Sequence, residues 1–172
     1  YALHKIMNDL ESRNAALGEI ITIIPVLGTV QNEQHVNQVI KTYNVQTIYH
    51  AAAYKHVPLV ESNVFEGLRN NVFGTLNIVQ GATKAKVENF ILVSTDKAVR
   101  PTNYMGASKR IAELICQAFM KTAKDTKFAI VRFGNVLGSS GSVVPLFDEQ
   151  IKRGGPVSVT HKDVERAYVT PT

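Results

Sequence analysis

Short, continuously apolar segments alternate along this chain with longer segments whose apolar residues recur at helical spacing. Three of the short segments, residues 46–50, 89–94 and 127–132, are rich in β-branched and aromatic residues. A strand that is covered on both faces is apolar throughout, whereas a strand with one wet face alternates apolar and polar residues. The alternation therefore predicts an α/β fold built on a doubly wound parallel sheet.

The positions of the other elements follow from the same patterns. The helical spacing predicts helices over residues 1–17, 33–43, 63–86, 104–124 and 142–153. Two more apolar runs predict a buried strand at residues 19–26 and a final strand at residues 157–160. Because the chain starts inside a helix and without an initiator methionine, we expect a domain that is truncated at both ends.

Composition excludes several classes of protein. The 172 residues suit one domain or most of one, and 45% hydrophobic residues are enough for a packed core. The net charge of +5 is spread along the chain without a basic stripe, which argues against nucleic-acid binding. No apolar stretch approaches the roughly 20 residues of a membrane-spanning helix, and no metal site is predicted. The single cysteine, Cys116, predicts a buried structural thiol in a reducing, cytoplasmic compartment.

Ligands of doubly wound sheets bind where the strands end at their carboxyl termini. This rule selects residues 51–58, 94–101 and 134–142, all of which are rich in small and polar side chains. The first of these segments begins with Ala51, Ala52 and Ala53. Their small side chains leave room for a flat cofactor ring, or they only allow close helix packing.

Charged residues follow in the first two of these segments. Lys55 and His56 either face a substrate or lie in solvent. Asp96 and Lys97 come directly after a strand, so both can reach one pocket from a tight loop. A lysine serves as a base where desolvation lowers its pKa, and an aspartic acid serves as a proton donor where its pKa is raised. The alternative is a loop ion pair or a helix cap.

Two further stretches carry candidate contacts. Met105 and Lys109 are four residues apart and share a helix face, although a core methionine and a solvated lysine are the simpler alternatives. Residues 132–142 lead from a strand into a loop of glycines and serines. Backbone amides of such a loop can hold a phosphate at the start of the next helix, or the loop is an ordinary connection.

Together these segments resemble the nucleotide-sugar epimerase/dehydratase branch of the extended short-chain dehydrogenase/reductase superfamily. The similarity is strongest to the capsule and O-antigen polysaccharide biosynthesis group, the UDP-N-acetylglucosamine 4,6-dehydratases. It rests on HAAAYKHVPLVE at residues 50–61, STDKAVRPTNYMGASKR at 94–110 and RFGNVLGSSGSVVP at 132–145, and it covers nearly the whole chain from about residue 43.

The resemblance implies that residues 1–172 are a partial, Rossmann-like NAD-binding domain, with the start of a substrate lobe from about residue 134. The implied ligands are NAD, rather than NADP, and a UDP-sugar. The family's glycine-rich phosphate loop and second strand are expected upstream of Tyr1. The intact protein is expected to be a homo-oligomer, and the membrane-linked members of the group imply anchoring at the inner face of the bacterial membrane.

The resemblance also assigns roles to residues. The implied reaction oxidises C4 of the sugar, removes water across C5 and C6, and returns the hydride to C6. Lys97 would remove the C5 proton, Asp96 would protonate the leaving C6 hydroxyl, and Thr95 would bind the C4 oxygen. The implied cofactor contacts are Ala51, Ala52, Ala53, Asn71, Ser94 and Lys109. The implied substrate contacts are Lys55, His56, Asn135 and Arg166.

Two positions depart from the family pattern. Met105 stands where the family's Tyr-x-x-x-Lys pair has its tyrosine, and a thioether cannot take a proton. Membrane-linked members of the group share this departure, which leaves the base for the 4-hydroxyl open. Thr29 follows Leu27 and Gly28 where the family usually has an aspartate.

Other functions stay open. A 4-epimerase, or a dehydratase that also inverts C5, is the alternative within the enzymes. The Asp96 and Lys97 pair favours elimination, because simple epimerisation needs no acid and base at C5 and C6. A non-catalytic protein that kept the fold is the alternative of another class, and the chain by itself is expected to bind NAD poorly.

Overall fold

A parallel sheet lies at the centre of the computed structural model, which describes residues 2–18, 21–137, 143–159 and 168–170. Strands β1 (Thr47–His50), β2 (Asn89–Thr95) and β3 (Lys127–Phe133) lie in the order β1-β2-β3. All pairs are parallel, so the three carboxyl ends meet at one edge. The predicted α/β fold with a parallel sheet is confirmed, and each of these strands agrees with its prediction to within one residue at either end.

Helices connect and flank the strands. They are α1 (Ala2–Leu17), α2 (Glu33–Thr42), α3 (Val57–Ser62), α4 (Val64–Leu68), α5 (Gly74–Lys84), α6 (Tyr104–Thr122) and α7 (Val143–Lys152). A second, two-stranded sheet pairs β4 (Asn135–Val136) with β5 (Tyr168–Val169). Among the described residues, no helix combines the length and the apolar character needed to cross a membrane.

The hydrophobic core lies between one face of the sheet and three helices. Phe90 and Leu92 of β2 are fully buried, and they belong to one cluster with residues of α2, α5 and α6. Alternate residues of a strand point to opposite faces, so these helices cover the same face. Burying each such side chain contributes about 2 kcal/mol. On the opposite face, Tyr49 and Val131 are 74% and 46% exposed.

Two predicted strands are wrong. Residues 21–26 and 157–159 have no regular structure, although they are rich in β-branched residues. A strand needs a neighbour that pairs with its backbone N–H and C=O groups, and no strand in the described ranges pairs with either segment. Residues 19, 20 and 160 of these predictions lie outside the described residues.

The predicted helix over residues 63–86 is divided. Asn63 ends α3 and begins α4, and one π-helical turn, Arg69–Phe73, joins α4 to α5. A π-turn inserts an extra residue into a helix and is frequent at functional sites. Here the turn buries Asn70 and Asn71 and aims the Asn71 side chain at the loop that follows β1.

Candidate active site

A cleft of about 850 Å³ opens at the carboxyl edge of the parallel sheet. Its walls come from the segments that follow β1, β2 and β3 and from the start of α6. The sequence-predicted site residues that line it are Ala51, Ala53, Lys55, His56, Ser94, Thr95, Asp96, Lys97, Met105, Lys109 and Asn135. The structure thus brings most of the predicted residues together in one place.

Two predicted site residues do not line the cleft, and a third cannot be compared. Ala52 lies between two lining alanines but does not itself line the cleft. Asn71 is buried and holds the loop after β1 through a hydrogen bond from the Tyr54 N–H. Arg166 lies outside the described residues, as do residues 138–142 of the predicted phosphate-binding loop.

Asp96 and Lys97 form an ion pair at the cleft wall. The Lys97 Nζ lies 2.9 Å from Asp96 Oδ1 and 3.4 Å from Asn135 Oδ1. The Thr95 hydroxyl donates to the same Asp96 oxygen at 2.9 Å. A short 3₁₀ turn, Asp96–Ala98, bends the chain here. The Lys97 and Asp96 side chains are 32% and 47% exposed, so both remain accessible from the cleft.

The pKa of the Asp96 carboxyl is lowered from its usual value. Partial burial raises this pKa, but hydrogen bonds from Lys97 and Thr95, together with the charge of Lys97, outweigh burial. The raised pKa expected of a proton donor is therefore not found. Asp96 is a carboxylate in this arrangement, and it must gain a proton before it can donate one.

Helix α6 begins directly beside the ion pair. The Asn103 Oδ1 accepts a hydrogen bond from the Gly106 N–H at 2.8 Å, and the Glu61 carboxylate accepts one from the Tyr104 N–H at 2.6 Å. These bonds satisfy donors that a helix start leaves free. A Cβ on Gly106 would lie 2.5 Å from the Lys97 carbonyl oxygen. Only glycine therefore lets the helix approach the turn this closely.

Met105 and Lys109 lie on the cleft side of α6. Both are buried, with 4% and 7% of their surface exposed. The Lys109 Nζ donates to the Val93 carbonyl oxygen at 2.6 Å. Burial lowers the pKa of Lys109, and interactions with Glu113 and Cys116 oppose that shift. Lys109 is therefore a buried lysine at the cleft and not a solvated helix lysine.

A buried polar network holds the loop after β1. Asn71 accepts from the Tyr54 N–H at 2.7 Å, and it donates to the Tyr54 carbonyl at 3.1 Å and to the Ser108 hydroxyl at 3.0 Å. The Thr75 hydroxyl donates to the Asn71 carbonyl at 2.7 Å, which leaves its oxygen to accept from the His50 Nε2 at 2.9 Å. The family resemblance pointed to Asn71, whereas its partners were not anticipated.

A second cluster, around Glu113 of α6, was not anticipated from the sequence at all. The fully buried carboxylate accepts from the Ser94 hydroxyl at 2.6 Å, from Arg110 at 2.8 Å and from Arg132 at 2.7 and 2.5 Å. Burial raises the pKa of Glu113, but these hydrogen bonds, with Arg132 first, lower it to about 2. The one signal in the sequence was its four-residue spacing from Lys109.

Cys116 is fully buried, as predicted. Burial raises the pKa of its thiol to about 12, so the thiolate that would make it reactive does not form near neutral pH. Within the ranges that the structure describes, no group of three His, Cys, Asp or Glu side chains is arranged to hold a metal ion.

Known proteins resemble this chain over most of its length. The family described as polysaccharide biosynthesis protein matches residues 1–171. The capsular polysaccharide biosynthesis protein CapD of Staphylococcus aureus is 49% identical over 89% of this chain and 26% of CapD. The probable polysaccharide biosynthesis protein EpsC of Bacillus subtilis is 45% identical over 98% of this chain and 28% of EpsC. A UDP-glucose 4-epimerase of Rickettsia canadensis is 39% identical over 81% of this chain and 41% of the epimerase.

Solved structures share the same fold. Pen from Bacillus thuringiensis superposes with a TM-score of 0.80 and 38% identity, over 84% of this chain and 45% of Pen. A double mutant of DesIV, a dTDP-glucose 4,6-dehydratase from Streptomyces venezuelae, with NAD bound, superposes with a TM-score of 0.77 and 23% identity, over 83% of this chain and 49% of DesIV. These likenesses confirm the Rossmann-like fold. The chain spans less than half the length of each of these relatives.

Proposed function

We propose that this chain, which belongs to the polysaccharide biosynthesis protein family, is part of an enzyme that dehydrates a nucleotide-linked sugar. The proposed reaction converts UDP-N-acetylglucosamine into a UDP-4-keto-6-deoxy sugar with NAD as the cofactor. The observation that carries the proposal is the convergence of Thr95, Asp96 and Lys97 with the buried Lys109 on one cleft beside Ala51.

The residues present fit the nicotinamide side of NAD. Ala51 and Ala53 form a wall of small side chains against which a flat ring can lie, and Lys109 provides a buried amino group that can bind a ribose hydroxyl. When bound, NAD accepts a hydride from the sugar and later returns it. The sequence contains no Gly-x-x-Gly-x-x-Gly segment, so we assign no residue of this chain to the pyrophosphate.

Lys97 and Asp96 suit an elimination because a base and an acid project from adjacent positions. A ketone at C4 makes the C5 proton acidic. Lys97 takes that proton as a neutral amine, after its 32% exposed side chain has released its ammonium proton to solvent. Protonated Asp96 gives its proton to the C6 hydroxyl, which leaves as water. Asn135 accepts from the Lys97 Nζ and thereby directs the amine across the cleft.

The Thr95 hydroxyl provides a route by which Asp96 gains its proton. It donates to Asp96 Oδ1 at 2.9 Å, so a C4 hydroxyl bonded to Thr95 can pass its proton through Thr95 to the carboxylate as the hydride leaves C4. The Met105 thioether cannot take this proton. The proton lost at the C4 oxygen leaves with the C6 oxygen as water, and Lys97 returns its proton to C5 when the hydride reaches C6.

A 4-epimerase is the second candidate, because a UDP-glucose 4-epimerase is among the relatives of this chain. Epimerisation removes and returns a hydride at C4 and leaves C5 and C6 untouched. The Asp96 and Lys97 pair would have no role in it, so the site geometry favours dehydration. A dehydratase that also inverts C5 would use the same pair.

Incubation of the whole protein with NAD and UDP-N-acetylglucosamine tests the proposal. We expect a 4-keto-6-deoxy product, in which NMR shows a methyl group in place of the C6 hydroxymethyl group. The configuration at C5 distinguishes a retaining from an inverting dehydratase. UDP-N-acetylgalactosamine as the product would instead identify a 4-epimerase and contradict the proposal.

A further inference from the structure

Two side chains of α6 hold successive residues at the end of β2. The Lys109 Nζ donates to the Val93 carbonyl at 2.6 Å, and the Ser94 hydroxyl donates to the Glu113 carboxylate at 2.6 Å. Lys109 and Glu113 are four residues apart, so they share one face of the helix. The proposed acid and base follow Ser94 almost directly, and this double contact fixes the point from which they project.

The Glu113 carboxylate joins three elements at one point. It lies on α6 and accepts four hydrogen bonds, from Ser94 of β2, from Arg132 of β3 twice and from Arg110 of α6. Ser94 and Arg132 are paired in the register of the sheet, so both strands reach the carboxylate from neighbouring positions. Both carboxylate oxygens are used, which fixes the plane of the group as well as its position.

An ionic cluster that buries a carboxylate, while its two arginines stay 36% and 39% exposed, is a poor device for stability alone. Removing charged groups from water has a cost that their attraction offsets only in good geometry, and well-packed apolar replacements are often as stable. Directional hydrogen bonds on a rigid helix do hold neighbouring groups within the narrow tolerance that catalysis needs. The cluster therefore suits a role in positioning.

The charge of Glu113 also acts on Lys109. The titratable groups that interact with Lys109 are Glu113 and Cys116 on its own helix and His50 on β1. Two arginines, Arg110 and Arg132, form ion pairs with Glu113. Burial raises the pKa of Cys116 to about 12, and burial and the Lys109 charge lower the pKa of His50 to about 4. Near pH 7 both are uncharged, so Glu113 is the anion that opposes the effect of burial on Lys109.

We propose that Glu113 is a positioning residue of the active site. It fixes Ser94, and with it the turn at residues 95–97, and its negative charge favours the protonated form of Lys109. A test of this inference by turnover rests on the proposed function. A test by the titration of Lys109 does not.

Three variants of the whole protein test the inference. Glu113→Gln keeps the shape of the side chain and removes its charge. Glu113→Asp keeps the charge and shortens the side chain by a methylene. Asp125→Asn is the matched control, because it makes the same carboxyl-to-amide change in an exposed ion pair with Lys86.

Glu113→Gln is expected to lower kcat about tenfold or more with little change in KM. It is also expected to move the alkaline limb of the kcat–pH profile to lower pH, because Lys109 without the opposing charge of Glu113 loses its proton at a lower pH. Glu113→Asp is expected to lower kcat without moving that limb, and Asp125→Asn to change neither. A role in stability alone would lower Tm and leave the limb in place, which would overturn the inference.

NMR titration of the Lys109 Nζ, assigned with Lys109→Gln, gives a readout that needs no turnover. A lower Lys109 pKa in Glu113→Gln supports the inference even where the wild-type protein does not dehydrate UDP-N-acetylglucosamine, and in that case the proposed function alone fails. An unchanged titration together with an unchanged kcat overturns the inference. Should Glu113→Gln not fold, wild-type kcat in Glu113→Asp overturns the positioning role.

Discussion

Lys97 contacts two oxygen atoms of different character at the cleft wall. Asp96 Oδ1 belongs to an anion and Asn135 Oδ1 to a neutral amide. Both accept hydrogen bonds, so together they restrict the direction of the Lys97 side chain. A half-exposed ion pair of this kind contributes only about 0–1 kcal/mol to stability. The two contacts therefore matter for where the amine points and little for the stability of the fold.

Replacing Lys97 with alanine tests its assignment as the base. We expect the turnover of the whole protein to fall about 10²–10⁴-fold, because the C5 proton then has no acceptor. The free energy of unfolding is expected to change by less than about 1 kcal/mol. Product formation followed by NMR and unfolding in urea measure the two effects.

Lys86→Ala is the control for this substitution, because Lys86 belongs to an exposed ion pair with Asp125. It is expected to leave turnover unchanged. Wild-type turnover in Lys97→Ala would exclude Lys97 as the base, and it would remove the main argument for dehydration over epimerisation.

Individual residues of the cleft differ in how far the sequence could predict them. Asp96 and Lys97 were found because parallel strands deliver their carboxyl ends to one edge of a sheet. Glu113 could not be found in this way, since its partners Ser94 and Arg132 each lie 19 positions away along the chain. The sequence places Glu113 on the same helix face as Lys109, but it does not show which strands that face meets.

Helix α6 is the element on which the site depends most. Its first turn approaches the 3₁₀ turn at Gly106. Its second turn contacts the residues that hold the loop after β1, through the hydrogen bond between Ser108 and Asn71. Lys109 reaches the end of β2. A small shift of α6 would therefore move several walls of the cleft at once. The close approach at Gly106 makes this dependence measurable.

Gly106→Ala is expected to destabilise the protein. In an open helix, alanine in place of glycine stabilises by about 0.5–1 kcal/mol. Here the added Cβ would lie 2.5 Å from the Lys97 carbonyl oxygen and 3.3 Å from Asn103 Oδ1. The helix or the turn must move, at a cost of about 1–3 kcal/mol, and turnover should fall with it. Urea unfolding measures the change in stability.

Ala118→Gly, at an exposed position of the same helix, calibrates the ordinary effect of glycine and should destabilise by about 1 kcal/mol. Gly106→Ala and Ala118→Gly are opposite substitutions, yet both are expected to lower the free energy of unfolding. A Gly106→Ala protein that is more stable than the wild type would show that α6 does not approach the turn this closely.

Prediction of whole elements succeeded where the pairing partners are present and failed where they are not. The apolar runs of β1, β2 and β3 find one another in the sheet, whereas the equally β-branched run at residues 21–26 has no described strand beside it. The π-turn at Arg69–Phe73 escaped prediction for another reason. An extra residue in a helical turn changes the side of the helix on which Asn71 lies, but it leaves the local amino-acid composition unchanged.

At the scale of the whole molecule, two polar clusters join the elements around the cleft, one around Asn71 and one around Glu113. Each contains a titratable group whose pKa is lowered by folding. Burial, and then the Lys109 charge, lower the pKa of His50 from 6.5 to about 4. For Glu113, burial raises the pKa, but hydrogen bonds to Arg132, Ser94 and Arg110 lower it from 4.5 to about 2. In both cases the unfolded chain binds its proton at a higher pH than the folded chain.

The free energy of unfolding should therefore decrease as the pH is lowered, in two successive pH windows. Between pH 6.5 and pH 4 the unfolded state takes up a proton at His50 that the folded state does not, so acid favours unfolding. The same argument applies to Glu113 between pH 4.5 and pH 2. From pH 7 to pH 5 only the His50 window is crossed, and its share of the lost free energy of unfolding is up to about 2 kcal/mol.

His50→Gln removes this share, because glutamine does not titrate and can still donate to the Thr75 hydroxyl oxygen that His50 contacts. Urea unfolding at pH 7 and pH 5 is expected to show a smaller loss of stability in His50→Gln than in the wild type. His4→Gln, at an exposed position of α1, should lose as much stability as the wild type does. If His50→Gln loses just as much, the pH dependence belongs to other groups, and His50 is not a neutral, buried member of the network that holds Asn71.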